Sequence, residues 1–182
     1  AVGDDGLFLI APVFRAPVAG RHEPAAALTP EWRAILQPDH DLVVGEELTS
    51  RWYEASEKEL IEFSHNYDRQ YFHIDPVLAK DSPFGGLIAS GTFTFAIWNK
   101  LNLEVNGDIA WIAGMGFDNF RFPNPLRPEV SFRSESHLVE KRLSDKNPNR
   151  GVVIHNYRMI TKTDEILFTS TCPSLVHVKK DL

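Results

Sequence analysis

The spacing of apolar and polar residues divides the chain into an irregular first part and a regular second part. Residues 1–44 carry five prolines between short apolar patches, and prolines at this density disfavour any long helix or strand. Only TPEWRAIL, residues 29–36, has helix signals, namely a Thr that can cap, a Pro suited to the first turn and an apolar face. We therefore predict an irregular N-terminal extension over 1–44 and one folded domain over 45–182.

The second part opens with a strand-like stretch and a helix start. EELTSRWYEAS, residues 46–56, predicts a strand. Ser56 followed three residues later by Glu59 is a capping box, which predicts the first turn of a helix. The apolar residues after it give this helix a buried side, and we expect the helix to end near residues 65–66.

The rest of the chain predicts one central helix followed by a sheet. In residues 87–104, LIASGTFTFAIWNKLNLE, apolar side chains occur on every face, which is typical of a helix buried all round. Four strand-like stretches follow, several with period-two alternation: residues 109–122, 129–143, 151–163 and 165–180. Turn-forming residues separate them, including SDKNPNRG. The fold class is therefore α+β, with a curved antiparallel sheet wrapped around a central buried helix.

Composition and charge narrow the functional classes. The formal net charge of −6 gives no electrostatic footprint for nucleic acid or an anionic membrane. No apolar run approaches the length needed to cross a bilayer, and the apolar start lacks the basic flank of a signal peptide. Cys172 is the single cysteine, so no intrachain disulfide can form and a reducing, cytoplasmic location is expected.

Candidate chemistry is concentrated in YDRQYFHIDP, residues 67–76. Asp68 and His73 are a carboxylate and an imidazole just before a buried helix, a combination suited to general acid/base work on a bound water. The alternatives are a polar surface loop and a metal site made with His65. The glycines that follow favour the catalytic interpretation, because they permit a tight turn before a helix whose first amides can hold an oxyanion.

At this point the sequence resembles the MaoC-like dehydratase family, which includes the (R)-specific enoyl-CoA hydratases of the hot-dog fold. The residues that carry the resemblance are DRQYFHIDP from Asp68 to Pro76, FGGLIASG from Phe84 to Gly91, and FDNFRFPNPLRP from Phe117 to Pro128. The sequence departs from the family motif in four places: Gln70 stands for Asn, Tyr71 for Pro, Ser90 for His, and the pair Pro128-Glu129 for Gly-Asp. We interpret these departures as a divergent branch with an unusual substrate.

The resemblance implies reversible addition of water to a trans-2-enoyl thioester, without a metal or redox cofactor. Coenzyme A would be present as part of the acyl-CoA substrate, and the reaction would belong to fatty acid metabolism. The resemblance also implies a homodimer or a higher homo-oligomer. The implied site residues are, by role, the dyad Asp68 and His73, the oxyanion and orienting residues Gly91, Ser90 and Gln70, and the substrate-pocket residues Tyr71, Phe84 and Gly86.

Other interpretations stay open at this stage. A hot-dog thioesterase would use the carboxylate to activate water against the thioester carbonyl, and a non-catalytic module would bind or assemble acyl thioesters without turnover. Ser90 is expected to cap the central helix and Cys172 to be a packed core thiol. Five basic residues are weak candidates for binding the phosphates of coenzyme A: Arg121, Arg127, Arg133, Lys141 and Arg142.

Overall fold

The computed structural model describes residues 42–178. In chain order the elements are β1 (Glu47–Thr49), β2 (Tyr53–Glu54), α1 (Glu57–Tyr67), α2 (Tyr71–Ile74), a 3-10 turn (Leu78–Asp81), α3 (Gly91–Asn106), β3 (Trp111–Gly114), β4 (Asp118–Arg121), β5 (Ser131–Ser144), β6 (Asn147–Thr161) and β7 (Ile166–His177). The helix predicted over residues 29–36 lies outside the described residues.

Helix α1 begins where the capping box predicts. The Ser56 hydroxyl accepts a hydrogen bond from the Glu59 amide, and the Glu59 carboxylate accepts one from the Ser56 amide. The helix ends at Tyr67, slightly later than expected, and Asp68 follows as its C-terminal cap residue. The local signal was therefore sufficient to place this helix, and with it the carboxylate of the candidate site.

The central helix α3 is confirmed, but the expectation of burial all round is wrong. Thr92, Ala96, Lys100 and Glu104 form an exposed stripe along the helix at a spacing of four residues. The opposite face, with Phe93, Ile97 and Trp98 among its residues, is buried. The sheet covers only one side of the helix, so Lys100 and Glu104 on the other side stay in contact with water. The start of the predicted stretch, residues 87–90, precedes the helix.

One antiparallel sheet forms the other layer of the fold. Its order is β1-β5-β6-β7-β3, with β2 also pairing with β5 and β4 also pairing with β7. The three long strands β5, β6 and β7 follow each other in sequence and in space, and β1 and β3 lie at the two ends of the order. This is the predicted α+β arrangement of a sheet packed against one central helix.

Strand boundaries differ from the prediction in three places. The stretch 46–56 forms two short strands rather than one, with a break at 50–52. The stretch 109–122 is also split, into β3 and β4, around Gly116, whose φ is +154°. SDKNPNRG, residues 144–151, was predicted to be a turn, but in the structure only residues 145–146 form the turn. Strand β6 already begins at Asn147, and residues after it pair with β5 or β7.

The period-two alternation correctly identified the inner face of the sheet. Phe132 on β5, Tyr157 and Met159 on β6, and Cys172 on β7 are all buried in the cluster that contacts α3. Cys172 is 5% exposed, which confirms the expected core thiol. This core is rich in rings: Trp98 lies 5.2 Å from Phe95 and 5.2 Å from Phe168 between ring centroids. It holds α3 firmly against the sheet, and so positions the helix start.

Candidate active site

The carboxylate of Asp68 is held where α1 ends. Its backbone amide donates to the Ser64 carbonyl at 2.9 Å, which completes the last turn of the helix and directs the chain away from the helix axis. Gln70 then donates from Nε2 to Asp68 Oδ1 at 3.0 Å. Gln70 is also the N-cap residue of α2 but makes no side-chain cap, so its amide is free to orient the carboxylate. The position predicted to orient the dyad therefore contacts Asp68 directly.

His73 is fixed by a backbone carbonyl from the loop that precedes α3. Its side chain is only 6% exposed, and its Nδ1 lies 2.8 Å from the Ile88 carbonyl oxygen. A carbonyl can only accept, so Nδ1 carries the proton and Nε2 of the neutral ring has a free lone pair. A second bond, from the Ile88 amide to the Phe72 carbonyl at 3.1 Å, ties the same loop to α2.

The two predicted dyad residues are brought together. His73 Nε2 lies 3.7 Å from Asp68 Oδ2, which is longer than a direct N–H···O hydrogen bond. In the neutral ring with the proton on Nδ1, both facing atoms are acceptors, and neither has a proton to give the other. The pair therefore offers two convergent acceptors to a third group with two protons, and water is the simplest such group.

The glycine loop leads into the start of the central helix. Gly85 has φ +65°, a conformation that favours glycine, and its amide donates to the Ser82 carbonyl at 3.0 Å. At the helix start the Ser90 hydroxyl accepts from the Phe93 amide at 3.1 Å, which confirms the predicted cap. Gly91 occupies the first helical position, where an amide has no intrahelical acceptor. Its amide has the local setting required of an oxyanion donor.

A bulkier residue at Gly91 would meet an aromatic ring. A Cβ built there would lie 3.0 Å from Cε2 of Phe122, closer than ordinary van der Waals contact. A side chain at this position would therefore displace the Phe122 ring, which belongs to the segment after β4. Ser90, next to it, is completely buried.

Two of the predicted pocket residues, Tyr71 and Phe84, lie in one aromatic layer beside His73. Phe72 is its centre, with ring-centroid distances of 4.5 Å to His73, 5.1 Å to Tyr71 and 5.1 Å to Phe84. Tyr71 and Phe84 are exposed, at 43% and 38%. Sequence reasoning passed over Phe72, although its place next to His73 in an aromatic-rich motif was a usable signal.

The arginines proposed to bind the phosphates of coenzyme A differ in their partners and in their distance from the candidate site. Arg127 donates to the Phe84 carbonyl at 2.6 Å, so its guanidinium lies against the glycine loop of the site. Arg133 is paired with Glu135 at 2.7 Å, and Arg142 with Glu140 at 3.4 Å. A close carboxylate partner makes a guanidinium less available to an anionic ligand. Of these three, only Arg127 lies beside the candidate site.

Two further observations concern the alternatives. Within residues 42–178 no group of three or more His, Cys, Asp or Glu side chains is placed to hold a metal ion, so His65 does not complete a site with the dyad. None of the helices in this range has the length and apolar character needed to span a membrane.

The site can now be compared with known proteins. Residues 41–161 match the family model described as a MaoC like domain, about two thirds of the chain. The chain belongs to the MaoC-like domain family. This MaoC-like chain is similar to Nodulation protein N of Rhizobium meliloti (strain 1021), with 35% identity over 111 residues that cover 58% of this chain and 69% of that protein. It is also similar to the 3-hydroxyacyl-thioester dehydratase Z of Mycobacterium tuberculosis (strain ATCC 25618 / H37Rv), 32% identical over 94 residues that cover 50% and 62%.

Solved structures agree with the family assignment. The MaoC-like dehydratase from Rhodospirillum rubrum superposes with a TM-score of 0.71 and 29% identity, covering 77% of this chain and 96% of that one. The unliganded R-hydratase PhaJ1 from Pseudomonas aeruginosa shares the fold, with a TM-score of 0.59 and 21% identity, covering 78% of this chain and 85% of that one. The expected hot-dog fold and the expected family are both confirmed.

Proposed function

We propose that this MaoC-like domain is a hydratase/dehydratase that adds water reversibly to a trans-2-enoyl thioester. The observation that carries the proposal is the pair of convergent acceptors, His73 Nε2 and Asp68 Oδ2, 3.7 Å apart. The 3-hydroxyacyl-thioester dehydratase named among the similar proteins supports the reaction class. The thioester carrier is proposed to be coenzyme A, which takes part as a portion of the substrate, with no separate metal or redox cofactor.

The geometry supports a simple course for hydration. A water between the two acceptors donates one hydrogen to Asp68 and the other to His73, which aims an oxygen lone pair away from both. That oxygen attacks the β-carbon of the substrate, and the electrons of the double bond move into an enolate. The Gly91 amide at the helix start stabilises the enolate oxygen. The dyad takes one proton from the water and returns it to the α-carbon, so that the elements of one water are added overall.

The neighbouring residues have positioning roles in this proposal. Gln70, bonded to Asp68 Oδ1, leaves Oδ2 as the oxygen available to water. Ser90 caps α3 and thereby holds the Gly91 amide in place. The aromatic layer with Tyr71 and Phe84 forms one wall of the acyl-thioester pocket. Gly86 lies next to the Arg127 guanidinium, since a Cβ built at Gly86 would be 3.5 Å from Arg127 Nη1.

We also propose a homodimer with the site near its interface. Apolar side chains around the site are unusually exposed for a monomer, with Tyr67 at 72%, Val77 at 70% and Leu78 at 53%. The sheet order leaves strands at both ends that a second copy can cover. Light scattering coupled to size exclusion tests this directly, and a monomer at micromolar concentration would contradict it.

The proposed reaction is tested by following the loss of enoyl-thioester absorbance over a panel of trans-2-enoyl-CoA chain lengths. We expect turnover by the wild type and a loss of at least ~100-fold in kcat/KM in both Asp68→Asn and His73→Gln. His65→Gln and Asp81→Asn are matched controls, since they make the same chemical changes on nearby α1 and the 3-10 turn.

Three outcomes would overturn the proposal. Turnover that is equal in the wild type and both dyad variants would remove Asp68 and His73 from the chemistry. Tight binding of enoyl-CoA without turnover of any chain length would favour the non-catalytic binding module instead. Release of free thiol from an acyl-CoA would point to thioester hydrolysis.

A further inference from the structure

One side chain connects the glycine loop, residues 84–89, to the segment that follows β4. The Arg127 guanidinium donates from Nη2 to the Phe84 carbonyl at 2.6 Å. It also lies beside Gly86, since a Cβ built at Gly86 would be 3.5 Å from Arg127 Nη1. A hydrogen bond from an ionised donor is among the stronger ones, so this contact holds the start of the loop.

The backbone next to Arg127 holds the other end of the same loop. The Leu126 carbonyl accepts from the Ala89 amide at 2.8 Å. Between these two contacts, the Ile88 amide donates to the Phe72 carbonyl at 3.1 Å and the Ile88 carbonyl accepts from His73 Nδ1 at 2.8 Å. The carbonyl that sets the tautomer of His73 therefore lies in a stretch that residues 126–127 hold at both ends.

The Arg127 contact is the one among these four hydrogen bonds that depends on a particular side chain of the segment after β4. The bonds of Ala89 and Ile88 to carbonyl groups are made by backbone amides, which every residue except proline supplies. The loop also contains Gly85 and Gly86, with φ of +65° and +157°. Glycine has the greatest backbone freedom, so a loop with two of them needs outside contacts to keep one conformation.

Phe84 gives Arg127 a second route to the dyad, through ring contacts. The Phe84 ring centroid lies 5.1 Å from that of Phe72, which lies 4.5 Å from that of His73. The Phe84 side chain is 38% exposed, and Arg127 fixes the carbonyl of the residue from which it projects. Loss of the Arg127 contact would therefore act on His73 through the Phe72 ring as well as through the Ile88 carbonyl.

The surroundings of Arg127 differ from those of the other arginines near the sheet. Arg133 and Arg142 have carboxylate partners, whereas within residues 42–178 no carboxylate forms an ion pair with Arg127. An exposed, unpaired guanidinium beside the site could bind carrier phosphates or hold the loop. The geometry favours the second role, because one amino group already donates to the loop carbonyl at 2.6 Å.

We propose that Arg127 is a positioning residue that holds the glycine loop, and through it His73, in the geometry needed for hydration. Its effect on turnover rests on the proposed function, while its effect on the loop does not. Because Arg127 acts on the imidazole rather than on the carrier, its loss should lower kcat more than it raises KM, with or without phosphates on the substrate.

The first test is amide hydrogen exchange of the full chain, followed residue by residue by NMR. Arg127→Met keeps much of the aliphatic stem and removes the donors. We expect the Gly85 and Ile88 amides to exchange at least ~10-fold faster than in the wild type, with the amides of β7 unchanged. Arg127→Lys, which keeps a charged donor, should recover part of the protection. Unchanged exchange at Gly85 and Ile88 in Arg127→Met would overturn the proposal.

Arg150→Met is the matched control for this experiment. It makes the same chemical change on β6, near the hairpin at residues 145–146, and should leave exchange in the glycine loop unchanged. Faster exchange in the loop of this control as well would assign the effect to a general loss of stability, and would also overturn the proposal.

The second test presents the trans-2-enoyl chain that the wild type hydrates best on two carriers, coenzyme A and pantetheine, which lacks the phosphates. We expect Arg127→Met to lower kcat by at least ~10-fold on both. A loss confined to the coenzyme A thioester and to KM would assign Arg127 to phosphate binding and overturn the proposal. Absence of turnover by the wild type would instead overturn the proposed function, while the exchange rates would still decide whether Arg127 holds the loop.

Discussion

Replacing Ser90 with Ala tests the physical link between the helix cap and the candidate oxyanion donor. Ser90 is completely buried, and its hydroxyl accepts from the Phe93 amide at 3.1 Å while contacting Thr92 Oγ1 at 3.0 Å. The substitution removes the acceptor without adding bulk. Because Phe93 is itself only 3% exposed, water cannot easily replace the lost hydroxyl at its amide.

The expected cost follows from the burial of this cap. Loss of an N-cap side chain costs about 0.5–2 kcal/mol, and a buried unsatisfied amide lies at the upper end of this range. We therefore expect about 2 kcal/mol of destabilisation, or about 4–8 °C in Tm for a chain of this size. Ser56→Ala is the matched comparison, because it removes the cap of α1 at a half-exposed position where water can substitute. It should cost about 0.5–1 kcal/mol.

The assay is urea unfolding of both variants at one fixed protein concentration, since assembly makes apparent stability concentration-dependent. Ser90→Thr, which keeps the hydroxyl, should recover most of the loss if its added methyl is accommodated. Under the proposed function, Ser90→Ala should also lower kcat more than it raises KM, because the Gly91 amide acts on charge that develops in the transition state. A Ser90→Ala variant no less stable than Ser56→Ala would refute the reasoning.

Three further outcomes are expected. Trp98→Ala should cost about 3–5 kcal/mol of stability, since the ring is 2% exposed in the aromatic core. Trp98→Phe should cost less, because the buried indole N–H has no hydrogen-bond partner among the described residues and its loss breaks no bond. Chemical denaturation measures both variants. Burial lowers the pKa of His155 from 6.5 to about 4 in the folded protein. As pH falls from about 6.5 towards 4, the imidazole is protonated in the unfolded state but not in the folded state, so the free energy of unfolding decreases. His155→Phe should make this pH dependence smaller in a series of unfolding curves. Gly85→Ala should cost about 1–2 kcal/mol from its φ of +65° alone, with Gly85→Asn costing less, as thermal unfolding will show.

The candidate site shows which parts of an active site are readable from a sequence. Asp68 and His73 were recognisable because the motif around them is contiguous, and the Ser90 cap because it precedes a helix-forming stretch. The Ile88 carbonyl that sets the tautomer of His73 was not predictable, although Ile88 lies in the glycine-containing stretch that follows the dyad. Every residue has a carbonyl, so nothing in a side-chain pattern indicates which one will meet a given imidazole.

The sequence by itself determined the local features of this protein: the capped start of α1, the start of the central helix, the alternating inner face of the long strands, and the family. Capping and periodicity depend on residues a few positions apart, which is why they are legible. Only the tertiary structure decided the 3.7 Å separation of the dyad and the exposed stripe on α3. Those features depend on how whole elements pack against one another, and packing is set by contacts between residues far apart in the chain.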